Sequence, residues 1–336
     1  MKKKVFIVLT VVLSLMLNFT CTAKDYKDSE CAELFCLDSS DEKSDIPKSR
    51  YEQAVDNMLK MGWTMDEIND LPEKNVLEYT NALSFSKNTK YLCYYLDENN
   101  QEKVVEMPKN KFDYFTNQKK SELASSENGV SEMSSSGKLE LSEIWNSSSD
   151  LDKYNSTNYL KQDQYLTWLG NNTLHNSYRW EWVILPQNTK KDVFYLVHEP
   201  NTTMVQNSQS FVYKYDLTRS NDTIIAGTYQ VDTPDTYEYD GTSGVAYTLD
   251  LKDAEASLSS SGHCYSRYTN HRGYMSYQTV INNTGTVATS AAGGYRHCTL
   301  MWVVTPSITF MDMDISISPS YAYVNETPGT FCSVKK

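Results

Sequence analysis

Two His-Cys dipeptides, His263-Cys264 and His297-Cys298, with His271 between them, are the residues of this sequence whose types best suit chemistry. Imidazole and thiolate are preferred zinc ligands, and two such pairs on neighbouring strands would supply four of them. Adjacent residues of a strand point to opposite faces, however, so one dipeptide cannot aim both side chains at a single ion. In an oxidising compartment the two thiols would instead pair with each other, which makes Cys264 and Cys298 the candidate disulfide. Nucleophilic catalysis needs a thiol beside a base, and Cys264 with His297 or His271 is the pairing worth naming. Neither a Gly-x-Ser-x-Gly elbow, a His-Glu-x-x-His helix nor a Gly-rich phosphate loop accompanies it, so no catalytic residue is assigned.

Carboxylates crowd one interval, where Asp232, Asp235, Glu238 and Asp240 stand with Pro234 and Gly241. Calcium takes such oxygen ligands in flexible loops, but the ordered EF-hand spacing is missing, and the segment reads as a solvated acidic loop. Neither a metal nor a cofactor is expected. Nothing selects two acids as a glycosidase pair. The aromatic load of the C-terminal half has more content. Trp168, Trp180, Trp182, Tyr213, Tyr215, Tyr237, Tyr239, Tyr274 and Tyr277 lie among Asn, Thr and Ser, and flat rings beside short polar groups suit a sugar-binding surface. Rings also fill cores, so only those left outside can bind. Trp180, Trp182, Tyr213, Tyr215, Tyr237 and Tyr239 are the ligand-binding candidates.

The elements that position these residues belong to a chain of 336 residues, about twice the usual ~150 per domain. A net charge of −12 opposes attraction to polyanions, which excludes nucleic acid as a partner. Met1 to Lys4 form a basic start, Val5 to Leu17 an apolar run, and Cys21-Thr22-Ala23 a small-residue cleavage site, so residues 1–23 read as a secretory signal peptide. The run is too short for a span of ~20 residues, and no permanent membrane span is expected after cleavage. Lipid attachment at Cys21 fits poorly, because Phe19 and Thr20 stand where smaller or aliphatic side chains are wanted. Cleavage leaves Cys31, Cys36, Cys93, Cys264, Cys298 and Cys332, an even number suited to disulfides.

Residues 24–48 form an acidic tail of low hydrophobicity, and 121–149 have a Ser-rich linker composition. Between them, residues 49–120 read as a small helical unit with a hairpin. Tyr51, Val55, Met58 and Leu59 recur at helical spacing, Gly62 suits a left-handed cap, and Thr64-Met65-Asp66-Glu67 is a capping box. Pro72 opens a third short helix, and 91–96 with 103–107 read as a β-hairpin. Residues 150–336 read as many short strands, among them 178–184, 211–215, 224–231, 245–251, 274–281 and 308–318, with period-two alternation plainest in 178–184 and 311–318, while 299–304 is apolar enough for a strand buried on both faces and is limited by Pro306. The expected fold class is α+β, the small helical unit being followed by a mainly antiparallel β-sandwich or jelly-roll-like domain.

Met61-Gly62-Trp63 between two helices resembles the Met-Gly-Phe loop of ubiquitin-associated domains over about 25 residues, a likeness that helix-capping chemistry also produces. Trp168-Leu169, Gly293-Gly294-Tyr295-Arg296-His297 and Ile315-Ser316-Ile317-Ser318-Pro319 resemble uncharacterised secreted proteins of Gram-positive bacteria. That resemblance implies a secreted β-domain and brings no activity with it. The expected function is a secreted, non-enzymatic extracellular or surface binding protein that recognises a cell-surface glycan or protein through exposed Tyr and Trp. The alternatives are a secreted hydrolase using a Cys/His or carboxylate pair, and a membrane-active β-rich protein in which alternations such as 308–318 form a transmembrane β-strand after assembly.

Overall fold

The computed structural model describes residues 34–36, 48–96, 102–127, 158–184, 191–220, 225–252, 255–259, 262–283, 285, 288–297, 307–311, 313–318 and 329–335. The expected signal peptide, most of the acidic tail, the Ser-rich segment after residue 127, Cys298 and the strand expected over 299–304 lie outside them. In chain order the elements are β1 (Leu34–Cys36), α1 (Arg50–Lys60), α2 (Met65–Asn69), α3 (Glu73–Leu77), β2 (Ser84–Leu96), β3 (Glu102–Glu106) and α4 (Lys109–Glu127). Then follow β4 (Asn158–Gly170), β5 (Thr173–Ile184), β6 (Lys191–His198), β7 (Thr202–Met204), β8 (Ser210–Ser220), β9 (Ile225–Val231) and β10 (Thr236–Asp240). The last are β11 (Gly244–Asp250), β12 (Glu255–Ser259), β13 (Gly262–Ile281), β14 (Ala288–Arg296), β15 (Ser307–Met311), β16 (Asp314–Ser318) and β17 (Thr330–Lys335).

The large sheet runs β1-β2-β4-β5-β13-β8-β9, with β3 added on β2 and both β7 and β12 on β13; the smaller one runs β10-β11-β6-β14-β17. Among the described residues every pairing is antiparallel. The fold is the α+β sandwich expected. Its core joins Tyr178, Trp180, Trp182, Tyr213 and Tyr277 of the large sheet to Phe194, Leu196, Tyr247 and Tyr295 of the small one. The segments on either side of the Ser-rich stretch share one sheet, because β2 pairs with β4 from Ser84↔Trp168 to Tyr94↔Asn158. Sequence composition marks the stretch between them but carries no trace of that pairing.

The outer face of the large sheet carries the helices. Ser49 caps α1 and Thr64 caps α2, each in a complete capping box, and Gly62 holds a positive φ of 82° between them. The turn delivers Trp63 onto the sheet, where its ring stacks on Tyr165 at 4.8 Å and meets Tyr79 and Tyr274 edge-on at 6.0 and 6.1 Å. Beside this stack, Arg179 donates to Glu67 at 2.9 Å and to Glu181 at 2.9 Å, while Lys161 lies 3.0 Å from both Glu67 and Asp163. A second pair, Arg272 on Asp70 at 2.9 Å, fastens the end of α2. α4 covers the neighbouring part of the same face through Phe112 and Phe115, which pack with Cys93 and Tyr159.

On the other sheet, Ile308, Ile315 and Ile317 pack against Val193, Tyr195, Val197 and Ala292. Residues 308–318 are therefore not one strand. Met313 adopts φ 61°, and the alternating run folds back as the β15–β16 hairpin with Ser307 opposite Ser318. Period-two alternation is the same in a hairpin as in a straight strand, so the sequence pattern does not tell the two apart. No helix among the described residues is long and apolar enough to cross a membrane.

Burial alone would push the Glu67 carboxyl up, but Arg179 and Lys161 outweigh it and hold it down to about 2. A depressed carboxylate stabilises the fold above its unfolded value near 4.5 and loses that contribution as pH falls towards 2. Glu67→Gln is therefore expected to be less stable than the parent at pH 7 by about 2 kcal/mol after allowance for solvent screening. Urea titrations from pH 7 to pH 2.5 should show that gap closing below about pH 4.5. Trp63→Ala removes the centre of the helix–sheet contact and should cost about 3–5 kcal/mol in the same titration at pH 7.

Candidate functional site

Covering a face decides which rings remain available. Trp180 and Tyr213 are fully buried, Trp182 is 1% exposed and Tyr215 9%, so these four are corrected from ligand-surface to core residues. The reason lies in their partners. Trp182 donates its indole N–H to Tyr295 Oη at 2.9 Å, and Tyr213 Oη lies 2.6 Å from His271 Nδ1. Trp180 lies across Gly273, where an added Cβ would come within 2.5 Å of the indole, and contacts Phe194, Tyr213 and Tyr295. Polar tips satisfied internally ease the burial of Trp182 and Tyr213, whereas the indole N–H of Trp180 finds no partner among the described residues and that ring is held by packing.

Tyr237 and Tyr239 remain outside, at 63% and 46% exposure. Both lie on β10, the edge strand of the small sheet, opposite Tyr247 and Val245 of β11, which belong to the core between the sheets. They continue the inner face of that sheet past the point where the other sheet covers it. Tyr239 folds back over the β10–β11 turn, its hydroxyl lying 2.8 Å from where a Cβ on Gly241 would stand. Asp240 fixes this turn by accepting from Thr242 N at 3.0 Å, Thr242 Oγ1 at 2.8 Å and Ser243 Oγ at 2.9 Å. Those hydrogen bonds, led by the Thr242 amide, hold its carboxyl below the usual range.

The large sheet ends the same way at β9, which is linked to β10 by residues 232–235. Tyr229, 42% exposed, stands opposite Tyr215 and stacks on it at 5.8 Å with 12° between the planes. Tyr268 of β13 packs edge-on against Tyr215 at 5.4 Å and extends the cluster inward. One lateral edge of the sandwich thus carries Tyr229 on one sheet and Tyr237 and Tyr239 on the other. Tyr229 was missed by sequence reasoning, although its signal was present: it shares one face with Gly227 and Val231, alternating with Thr228 and Gln230, in a short strand.

Among the described residues, the remaining candidates are held in separate contacts. His297, fully buried, holds Asp192 Oδ1 at 3.0 Å through Nδ1, and Tyr295 donates to the same carboxylate. His271 belongs to the separate contact with Tyr213. Both imidazoles are fully buried. The backbone of Cys264 pairs with Ser257, while its side chain and all of Cys298 lie outside the described residues, as does that proposed disulfide. Cys332 is a buried thiol whose Sγ lies 3.4 Å from the carbonyl of Gln164, and burial pushes it up to about 12. The acidic interval is spent locally: Asp240 on its turn, Asp235 accepting from Asp250 N at 2.9 Å and Asp232 accepting from Gln230 at 2.6 Å. Among the described residues no three His, Cys, Asp or Glu are grouped to hold a metal.

No protein-family model matches the chain, and no curated protein matches it. Among solved structures it is similar to the collagen-binding subdomain of the Enterococcus faecalis surface protein ACE, at 7% identity and a TM-score of 0.18, over 50% of this chain and 90% of that one. It is also similar to the collagen-binding domain of a Staphylococcus aureus adhesin, at 7% identity and a TM-score of 0.15, over 48% and 88%. TM-scores of this size carry neither a shared topology nor a ligand across to this chain.

Proposed function

We propose that this protein is a secreted, non-enzymatic binding module that recognises an extracellular or cell-surface glycan through Tyr229, Tyr237 and Tyr239. The observation that carries this reading is the continuation of the inner aromatic face past the sandwich edge on both sheets. Elsewhere on the same face Tyr rings are buried; here three stand in water on adjoining edge strands. A flat ring stacks on the apolar face of a pyranose at small entropic cost, because a tyrosine has only two side-chain torsions to fix. The Asp240 turn and the Tyr215 stack hold two of the rings in place before a ligand arrives.

A glycan array probed with the intact exported chain tests this. The Tyr237→Ala/Tyr239→Ala double variant should lose at least about tenfold in affinity for any sugar captured, while its unfolding free energy changes by less than about 1 kcal/mol, as expected at exposed sites. Trp182→Phe is the contrasting variant. It deletes the hydrogen bond to Tyr295, should cost about 1–3 kcal/mol of stability and should leave sugar affinity unchanged in the folded fraction. An array without a bound sugar, or binding indifferent to the double substitution, overturns the reading.

A further inference from the structure

A second cleft lies away from the tyrosine edge, where α1 and α3 meet the β4–β5 turn. It encloses about 450 Å³, and its wall includes Arg50, Lys74, Glu78, Asn81, Asn171 and Gln278. That volume is within the range of small-molecule sites and larger than a lone inorganic anion needs. Its groups are largely unspent. Among the described residues, the side chains of Arg50, Lys74, Asn81, Asn171 and Gln278 form no hydrogen bond or ion pair with the protein.

Behind this wall stands a buried polar relay. Ser276 Oγ donates to Glu78 Oε2 at 3.3 Å, and His175 Nε2 lies 3.5 Å from the same oxygen and 3.2 Å from Tyr274 Oη. Tyr274 Oη in turn lies 3.3 Å from Tyr79 Oη, which is 2.8 Å from Ser177 Oγ. Burial drives His175 down to about 3, so it is neutral at physiological pH and is no counter-ion for Glu78. Burial likewise raises the Glu78 carboxyl to about 7, only partly offset by Ser276, Asn75 and Lys74. The groups facing Glu78 are therefore Lys74 and Asn75 on α3, the neighbouring Tyr79, neutral His175 on β5, and Tyr274 and Ser276 on β13.

We propose that this cleft binds a carboxylate-bearing saccharide, with Arg50 and Lys74 pairing its carboxylate, Asn81, Asn171 and Gln278 reading its hydroxyls, and Glu78 donating a hydrogen bond from the floor. Side-chain amides offer a donor and an acceptor together, which matches hydroxyl groups that do both. The two cations select a charged sugar over a neutral one. No second carboxylate is in the wall, so binding follows from this arrangement and glycoside cleavage does not. Ionised Glu78 would repel the ligand, so affinity should be higher below neutrality than above it.

Titration of the intact chain with D-glucuronate, D-glucose, inorganic phosphate and a trigalacturonate, followed by calorimetry and by the Asn and Gln side-chain amide resonances, tests the proposal. Glucuronate is expected to shift the Asn81, Asn171 and Gln278 signals, and glucose to bind at least about tenfold more weakly. Arg50→Ala and Lys74→Ala, both on the exposed rim, should each weaken glucuronate about tenfold. Tyr237→Ala/Tyr239→Ala should leave it unaffected, which separates this site from the tyrosine edge. Binding should be several-fold tighter at pH 6 than at pH 8, and Glu78→Gln should remove that dependence. Tighter binding of the trisaccharide identifies a polysaccharide as source; equal affinity identifies the free sugar acid. Glucose or phosphate binding as well as glucuronate, or glucuronate producing no shift at these amides, overturns it.

Discussion

The pairing of β2 with β4 turns segments from both sides of the Ser-rich stretch into one broad sheet, and a broad sheet has two faces to cover. The inner face is covered by the smaller sheet and the outer face by α1–α4. Antiparallel sheets commonly leave one face to solvent, and this one does not over most of its area. Hence residues of both parities along β4 and β5 are buried: Tyr178, Trp180 and Trp182 inward, His175, Ser177 and Arg179 outward. The polar members of the outer set survive burial because helices bring matching groups to them. Glu67 answers Arg179, and Tyr79 answers Ser177.

Charge at such an interface does a different job from aromatic stacking. Removing Glu67, Arg179, Lys161 and Asp163 from water costs several kcal/mol per ion, largely offset by their mutual attraction, so the cluster adds little net stability as a unit. Breaking one member leaves the others uncompensated, which makes the cluster a strong constraint on where α2 may sit. The ring of Trp63 on Tyr165 contributes the gain in apolar burial and the cluster the register. On the inner side, Gln162 and Gln164 are fully buried and their side chains find no hydrogen-bond partner among the described residues, an expense that the surrounding aromatic core must offset.

Local features were legible in the sequence because local chemistry determines them. Ser49 to Glu52 and Thr64 to Glu67 cap their helices in reciprocal hydrogen bonds, and Gly62 takes the left-handed conformation its position between two helices demanded. Strand periodicity in 178–184 and 245–251 was equally plain. What period two cannot encode is the identity of the covering layer. Tyr178, Trp180 and Trp182 alternate with Arg179 and Glu181 as they would on a half-solvated sheet, and the helices that cover Arg179 are more than a hundred residues away in the chain. The same limit hid the reversal at Met313 and the β2–β4 contact. The Glu78 cleft was invisible for a related reason, since its wall is drawn from four separate elements.

Position relative to a sheet edge, rather than residue type, decides whether a tyrosine of this protein is structural or available. Tyr213, Tyr215 and Tyr229 lie on one face of adjacent strands, yet exposure rises from 0% to 9% to 42% across them as cover from the facing sheet runs out. On the small sheet the step from Tyr247 to Tyr237 is from 4% to 63% across a single strand pair. Large rings at an uncovered edge cost solvation free energy and invite edge pairing, which most folds avoid with charges or proline. Here the edge keeps its rings and supports them from behind with the Tyr215 stack and the Asp240 turn. A sandwich that needed only to fold would gain by replacing them with polar residues, which is the physical ground on which the proposed recognition role rests.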